Sequence, residues 1–144
     1  MSRTKEIFGK QAISAAAGLQ PRRLSFILAL CPDAAQAVQN SKCLSWINTY
    51  AGNDNHARKG GVETLVILHN AGVDVSEGID LAVSYLCEKF GVDDLLEELL
   101  ATGAVTQRTK NEDCERAMKA GMPDNAAVLK RHGAKPQLSA GPKP

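Results

Sequence analysis

Apolar residues in this chain fall into short stripes at helical spacing, each closed by a glycine, and the stripe recurs at nearly constant distance. Leu65 and Leu68 stand seven and four places before Gly72, Leu96 and Leu99 stand likewise before Gly103, and Ala126 and Leu129 before Gly133. An i, i+3 pair of this kind lays one apolar stripe along a helix. Twelve places before each closing glycine is another, Gly60, Gly91 or Gly121. Corresponding glycines are 31 residues apart (60 to 91, 72 to 103) and then 30 apart (91 to 121, 103 to 133), a period in the range of repeat architectures.

The pattern predicts an all-α chain of helix pairs. Residues 4–18 read as a first helix ended by Gly18, and residues 21–30 as a second with Pro21 at its start. The stretch LSFILAL in that second helix is apolar nearly all round, which predicts burial. A helix capped by Asp33 or by Asn40 and Ser41 should carry Val38, Cys43, Leu44, Trp46, Ile47 and Tyr50. The run GNDNHARKGG, 52–61, is a loop by composition. Further helices are expected over 62–70, 79–90, 92–102, 111–120 and 123–132, with Gly60, Gly91 and Gly121 as corners between the members of a pair. The units so defined run 4–33, 34–75, 76–106 and 107–136, within one domain, 1–136. From Cys31 to Gly72 is 41 residues, about ten beyond the later period, and 52–61 supplies the surplus as a surface insertion. Residues 137–144 lack core-forming side chains and read as a flexible, disordered tail.

The segments ETLVILHNAGVDV (63–75), DDLLEELLATGAV (93–105) and AAVLKRHGAKP (126–136), with Gly60, Gly91 and Gly121 before them, resemble ankyrin repeats. The likeness covers residues 60–136 and reaches the first sixty only by extrapolation. It implies a short ankyrin-like solenoid of about four stacked antiparallel helix pairs, and a role in protein association. The family's Thr-Pro-Leu-His stretch is replaced by Ala82-Val83-Ser84-Tyr85 in one unit and Glu112-Asp113-Cys114-Glu115 in the next. The array is therefore a degenerate one, with irregular connections expected between units.

Charge is distributed unevenly behind a net value of +1. Residues 1–60 carry eight Lys/Arg against three Asp/Glu, 61–103 carry one against nine, and 104–144 carry eight against four. A globally basic nucleic-acid binder is not indicated, whereas a local acidic surface is. Aromatics are only 4% of residues, so Leu, Val and Ala must fill the space between closely packed helices. Cys31, Cys43, Cys87 and Cys114 form no CxxC pair, no apolar leader opens the chain, and no apolar run approaches a membrane span. The plain reading is a cytoplasmic protein with reduced thiols and no membrane contact; a leaderless exported chain would carry the same features.

Two stretches stand out as candidate partner-binding sites. The first is the acidic run: Asp74, Glu77 and Asp80, then Asp93, Asp94, Glu97 and Glu98. Asp94 and Glu98 are like charges at i, i+4, which costs stability unless another group answers them. The second is the insertion, with Asn53, Asp54, His56, Arg58 and Lys59, and the aromatic pair Trp46 and Tyr50 one turn apart just before it. His56, His69, His132 and the four cysteines lack zinc-ligand spacing, and no nucleophile motif or phosphate-binding glycine loop is present, so no metal, cofactor or catalytic residue is assigned.

Helical repeats offer ridged surfaces rather than deep pockets. The expectation is a non-enzymatic protein-protein interaction module, an inhibitor, immunity-type protein or adaptor, whose acidic middle meets a basic partner. The alternative is a nucleic-acid-binding helical protein using Arg22, Arg23, Arg58, Lys59 and the basic C-terminal unit.

Overall fold

Leu24, Ile27, Val38, Ile47, Leu65 and Leu68 carry the buried positions of one core, and Leu86, Leu96, Leu99 and Leu129 those of another. A computed structural model describes residues 2–53 and 58–136, and among these residues the chain is all helical, with nine α-helices and no strand. The helices are α1 (Ser2–Ala17), α2 (Pro21–Leu30), α3 (Ala34–Gln39), α4 (Cys43–Tyr50), α5 (Arg58–Asn70), α6 (Ser76–Leu86), α7 (Asp93–Ala101), α8 (Gln107–Lys119) and α9 (Pro123–Arg131). The chain divides into two compact units, one ending at Ile79 and the other beginning at Asp80, so the division falls inside α6. No described helix is long and apolar enough to cross a membrane.

In the first unit α1 packs on α2, α3 and α4, and α2 also packs on α5. Small residues let these backbones approach. Ala12, Ala15 and Ala16 of α1 are fully buried, and a Cβ on Gly9 would come within 2.9 Å of the Ala37 Cβ of α3. Gly61 has no room for a side chain at all, because the Ala51 carbonyl at the end of α4 occupies that space. Gly78 lies against Asn48 in the same way, its Cβ position being 2.8 Å from the Asn48 Cα.

In the second unit α9 packs on both α7 and α8. Here the glycines serve the turns. Gly91, Gly103, Gly121 and Gly133 all have positive φ, 75° to 100°, which costs glycine nothing. Gly121 and Gly133 close α8 and α9 in Schellman form: Met122 N–H bonds the Ala117 carbonyl at 2.8 Å, and Ala134 N–H the Leu129 carbonyl at 3.0 Å. Gly72 closes α5 likewise, with Val73 N–H on the Leu68 carbonyl at 2.9 Å.

Several expectations are corrected. Gly60 is not a corner. It lies inside α5, which begins at Arg58, so 58–61 are helical rather than loop; residues 54–57, and with them Asp54 and His56, lie outside the described residues. The close approach of α5 to Ala51 and Leu19 explains the pair of glycines there. The single helix expected after Asp33 is two, α3 and α4, and neither Asp33 nor Lys42 at their starts makes a side-chain cap bond. Gly18 does not take the left-handed position after α1; Leu19 does, at φ 53°. The α2 helix is buried on one side only, with Phe26 66% and Leu30 56% exposed. The last pair begins earlier than 111, because Thr106 caps α8 by accepting from Thr109 N–H at 3.1 Å. Residues 137–144, expected to be a tail, lie outside the described residues.

Candidate functional site

The acidic run is largely engaged within the fold, and its members belong to both units. Asp74 receives Ser76 Oγ at 2.8 Å and Ser76 N–H at 3.3 Å at the start of α6. Those two bonds hold its carboxyl below the ordinary carboxylate value. Glu77 lies exposed in the first turn of α6. Asp80 accepts from the Thr106 N–H at 3.1 Å and faces the Thr106 hydroxyl at 3.4 Å, tying α6 to the cap of α8. Glu97 on α7 takes His132 Nε2 at 2.7 Å and an Arg131 guanidinium N–H at 2.9 Å. These bonds, the one from His132 first, hold its carboxyl below the usual range. Glu98 lies on the exposed side of α7. Asp93 and Asp94 form the exposed first turn of α7, where negative charge suits the helix dipole, and Asp94 Oδ1 accepts from Leu95 N–H at 2.9 Å.

Several cations of the second unit are engaged within the fold as well. Arg116 bonds Glu88 at 2.9 Å and Asp113 at 3.2 Å, Arg108 bonds Glu112 at 3.0 Å, and Lys110 donates to the His132 carbonyl at 2.9 Å. Asp113 is 2% exposed and also accepts from Ser84 Oγ at 2.8 Å. Burial pushes its carboxyl up despite these two partners. Burial also pushes the Cys87 thiol up to about 12, which makes it a poor nucleophile, and raises that of Cys114. Among the described residues no group of three His, Cys, Asp or Glu is placed to share a metal ion.

The insertion and the aromatic pair look different. Trp46 and Tyr50 stack at 5.6 Å between ring centroids, tilted by 42°, and are 42% and 51% exposed, so they face solvent rather than the core. Asn53 turns back on α4, its Nδ2 donating to the Thr49 carbonyl at 2.5 Å. Arg58 and Lys59 form the first turn of α5.

The residue that sequence reasoning missed is Phe90, which is 87% exposed, the highest value among the exposed large hydrophobic side chains. It stands at the corner between α6 and α7, just before Gly91 with φ 75°. That corner is pinned from the side: the buried Asn125, in the first turn of α9, donates from Nδ2 to the Cys87 carbonyl at 2.9 Å and to the Lys89 carbonyl at 2.7 Å. Lys89 folds back with Nζ 4.8 Å from the centre of the Tyr85 ring. Phe90, Met122, Pro123 and Asp124 line an open hollow of about 140 Å³. A signal was present in the sequence. At the place before the first glycine of each frame, Gly60, Gly91 or Gly121, stand Lys59, Phe90 and Ala120, and Phe90 is the one large apolar residue there.

Comparison with protein-family models, with curated proteins and with solved structures gives no match.

Proposed function

We propose that this chain is a non-enzymatic protein-binding module made of degenerate ankyrin-like helix pairs, acting by occupying a surface of another protein as an inhibitor, immunity-type protein or adaptor. The repeat reading is supported by the second unit, where the start of α9 is bonded to the corner before α7 and its end to Glu97, so the two second helices run side by side in the same direction. Turn glycines at positive φ before and after α7 and α9 support it as well.

The observation that carries the binding reading is the display of Phe90 on a corner held by Asn125. An aromatic ring kept in water gives up roughly 1.5–3 kcal/mol that burial would return. A ring on a pinned backbone also loses little conformational freedom when it is covered, which is the character of an interface anchor. Asp93 and Asp94 follow it in sequence, and Asp124 lines the same hollow. The partner that fits is a protein with an apolar pocket rimmed by Lys or Arg, with the carboxylates steering the encounter. Of the acidic run, Asp93 and Asp94 are the members next to Phe90 in sequence, whereas Asp74, Asp80 and Glu97 are bonded to Ser76, Thr106 and His132.

Affinity capture from the source cell's lysate tests this with three baits: the wild-type chain, Phe90→Ala, and Asp93→Lys/Asp94→Lys. One discrete protein held by the wild type, lost from Phe90→Ala and weakened by the charge reversal is expected. The same set of proteins on all three baits would count against the reading.

A further inference from the structure

Two contacts in the first unit bring together residues that are far apart in sequence. The Cβ position of Gly60, in the first turn of α5, lies 3.1 Å from the Leu19 carbonyl oxygen and 3.9 Å from Pro21 Cδ, which sets the start of α5 against the start of α2. The neighbouring Gly61 is pressed against the Ala51 backbone, which sets the same turn against the end of α4. The start of α2, which carries Arg22 and Arg23, the start of α5, which carries Arg58 and Lys59, and the end of α4, the helix with the exposed rings of Trp46 and Tyr50, therefore lie next to one another.

The cations there have no carboxylate partner among the described residues. Among the described residues Arg22, Arg58 and Lys59 make no ion pair, and Arg23 bonds only the neutral Gln20 side chain, at 3.0 Å. The contrast is with the second unit, where Arg108, Arg116 and Arg131 each have a carboxylate. Like charges brought close together repel one another, and an anion relieves that repulsion. Phosphate alone would leave the two aromatic faces unused. A chain of phosphates carrying unpaired bases uses both, because bases stack on exposed rings while cations track the backbone.

We propose that this juxtaposition is a binding site for single-stranded nucleic acid, with Arg22, Arg23, Arg58 and Lys59 on the phosphates and Trp46 and Tyr50 as the stacking platform. The site goes beyond the protein-binding reading and does not rest on it, since Phe90 belongs to the other unit. In a duplex the bases are paired and stacked, so the platform would have nothing to receive and binding would be weaker.

Trp46 is the single tryptophan of the chain, so its fluorescence reports the site directly. The full chain is titrated with a short oligothymidylate, with the same sequence as a duplex, with polyglutamate and with vesicles containing phosphatidylserine. Saturable quenching by the single strand is expected, with a log–log salt slope of about −3 for four cations at roughly −0.7 each. Arg22→Gln/Lys59→Gln should weaken binding about tenfold at low salt and flatten the slope, with unchanged circular dichroism. Trp46→Ala should weaken binding as read by anisotropy of a labelled strand. Absence of quenching at low salt, duplex or polyglutamate binding as tight as the single strand, capture by vesicles alone, or full affinity in Arg22→Gln/Lys59→Gln would each overturn the proposal.

Discussion

Asn125 holds the backbone at Lys89: its side-chain N–H₂ donates to the Lys89 carbonyl at 2.7 Å and to the Cys87 carbonyl at 2.9 Å, from a position 2% exposed. Both carbonyls belong to the turn that carries Phe90 and would otherwise lack this partner. Asn125→Ala is expected to cost about 1–3 kcal/mol, the range for buried polar groups left unsatisfied. Phe90→Ala should change stability by no more than about 0.5 kcal/mol, because an exposed side chain has little packing to lose. Urea denaturation of the two variants checks both, and a large loss in Phe90→Ala would show that the ring has a structural role.

Asp113 and Glu97 should give opposite pH dependences. Burial raises the Asp113 carboxyl above its ordinary 3.8, so its contribution to stability is fully present below 3.8 and is lost as pH rises through the folded value. Glu97 is lowered from 4.5, so its contribution is present above 4.5 and is lost as pH falls through the folded value. On acidification from neutral pH, the stability of the wild type relative to Asp113→Asn should rise, while its stability relative to Glu97→Gln should fall. Denaturation midpoints measured across the acid range decide it, and the same sign for both variants would contradict the assignment.

Leu19 takes a left-handed backbone, φ 53°, where the chain leaves α1, with Gln20 N–H reaching the Ala15 carbonyl at 2.9 Å. A residue with a Cβ pays roughly 1–2 kcal/mol for that conformation. Leu19→Gly should stabilise the protein by about 0.5–1 kcal/mol, the gain being reduced by the lost half-buried side chain. Gly121→Leu, at φ 76° in the matching turn, should destabilise it by a similar amount. Thermal melts of the pair check the expectation.

Thiol labelling should sort the cysteines by position. Cys87 and Cys114 are buried, and burial raises both thiols, whereas Cys31 and Cys43 are partly exposed. Native protein treated with iodoacetamide near neutral pH should label at Cys31 and Cys43 first, with Cys87 and Cys114 reacting only on denaturation. Early labelling of Cys87, read by mass spectrometry, would contradict its burial.

The legible part of this fold was its helical content and the second unit's turns. Gly91, Gly103, Gly121 and Gly133 could be placed from spacing because each meets a local demand, a left-handed residue at a helix end or corner. Gly60 and Gly61 were misread because their demand is tertiary: room for Leu19 and Ala51, which no local pattern reveals. Leu19 was missed for the converse reason, since the neighbouring Gly18 looked like the better end signal and the packing chose otherwise. The acidic run looked like one surface because sequence shows charge and not its partners; His132 and Arg131, which engage Glu97, lie more than thirty residues further on. Composition likewise pointed to burial for LSFILAL, yet α2 has one covered side, and Phe26 and Leu30 remain exposed.

Site-specific photo-crosslinking at position 90 tests the central claim most directly. A photoreactive phenylalanine analogue replaces Phe90 in one version of the chain and Phe26, exposed in the first unit, in another. After irradiation in source lysate, the account predicts one discrete protein adduct from position 90, absent from position 26 and diminished by Asp93→Lys/Asp94→Lys. No adduct from position 90, or the same adducts from both positions, would contradict the claim that Phe90 is the anchor of a protein interface.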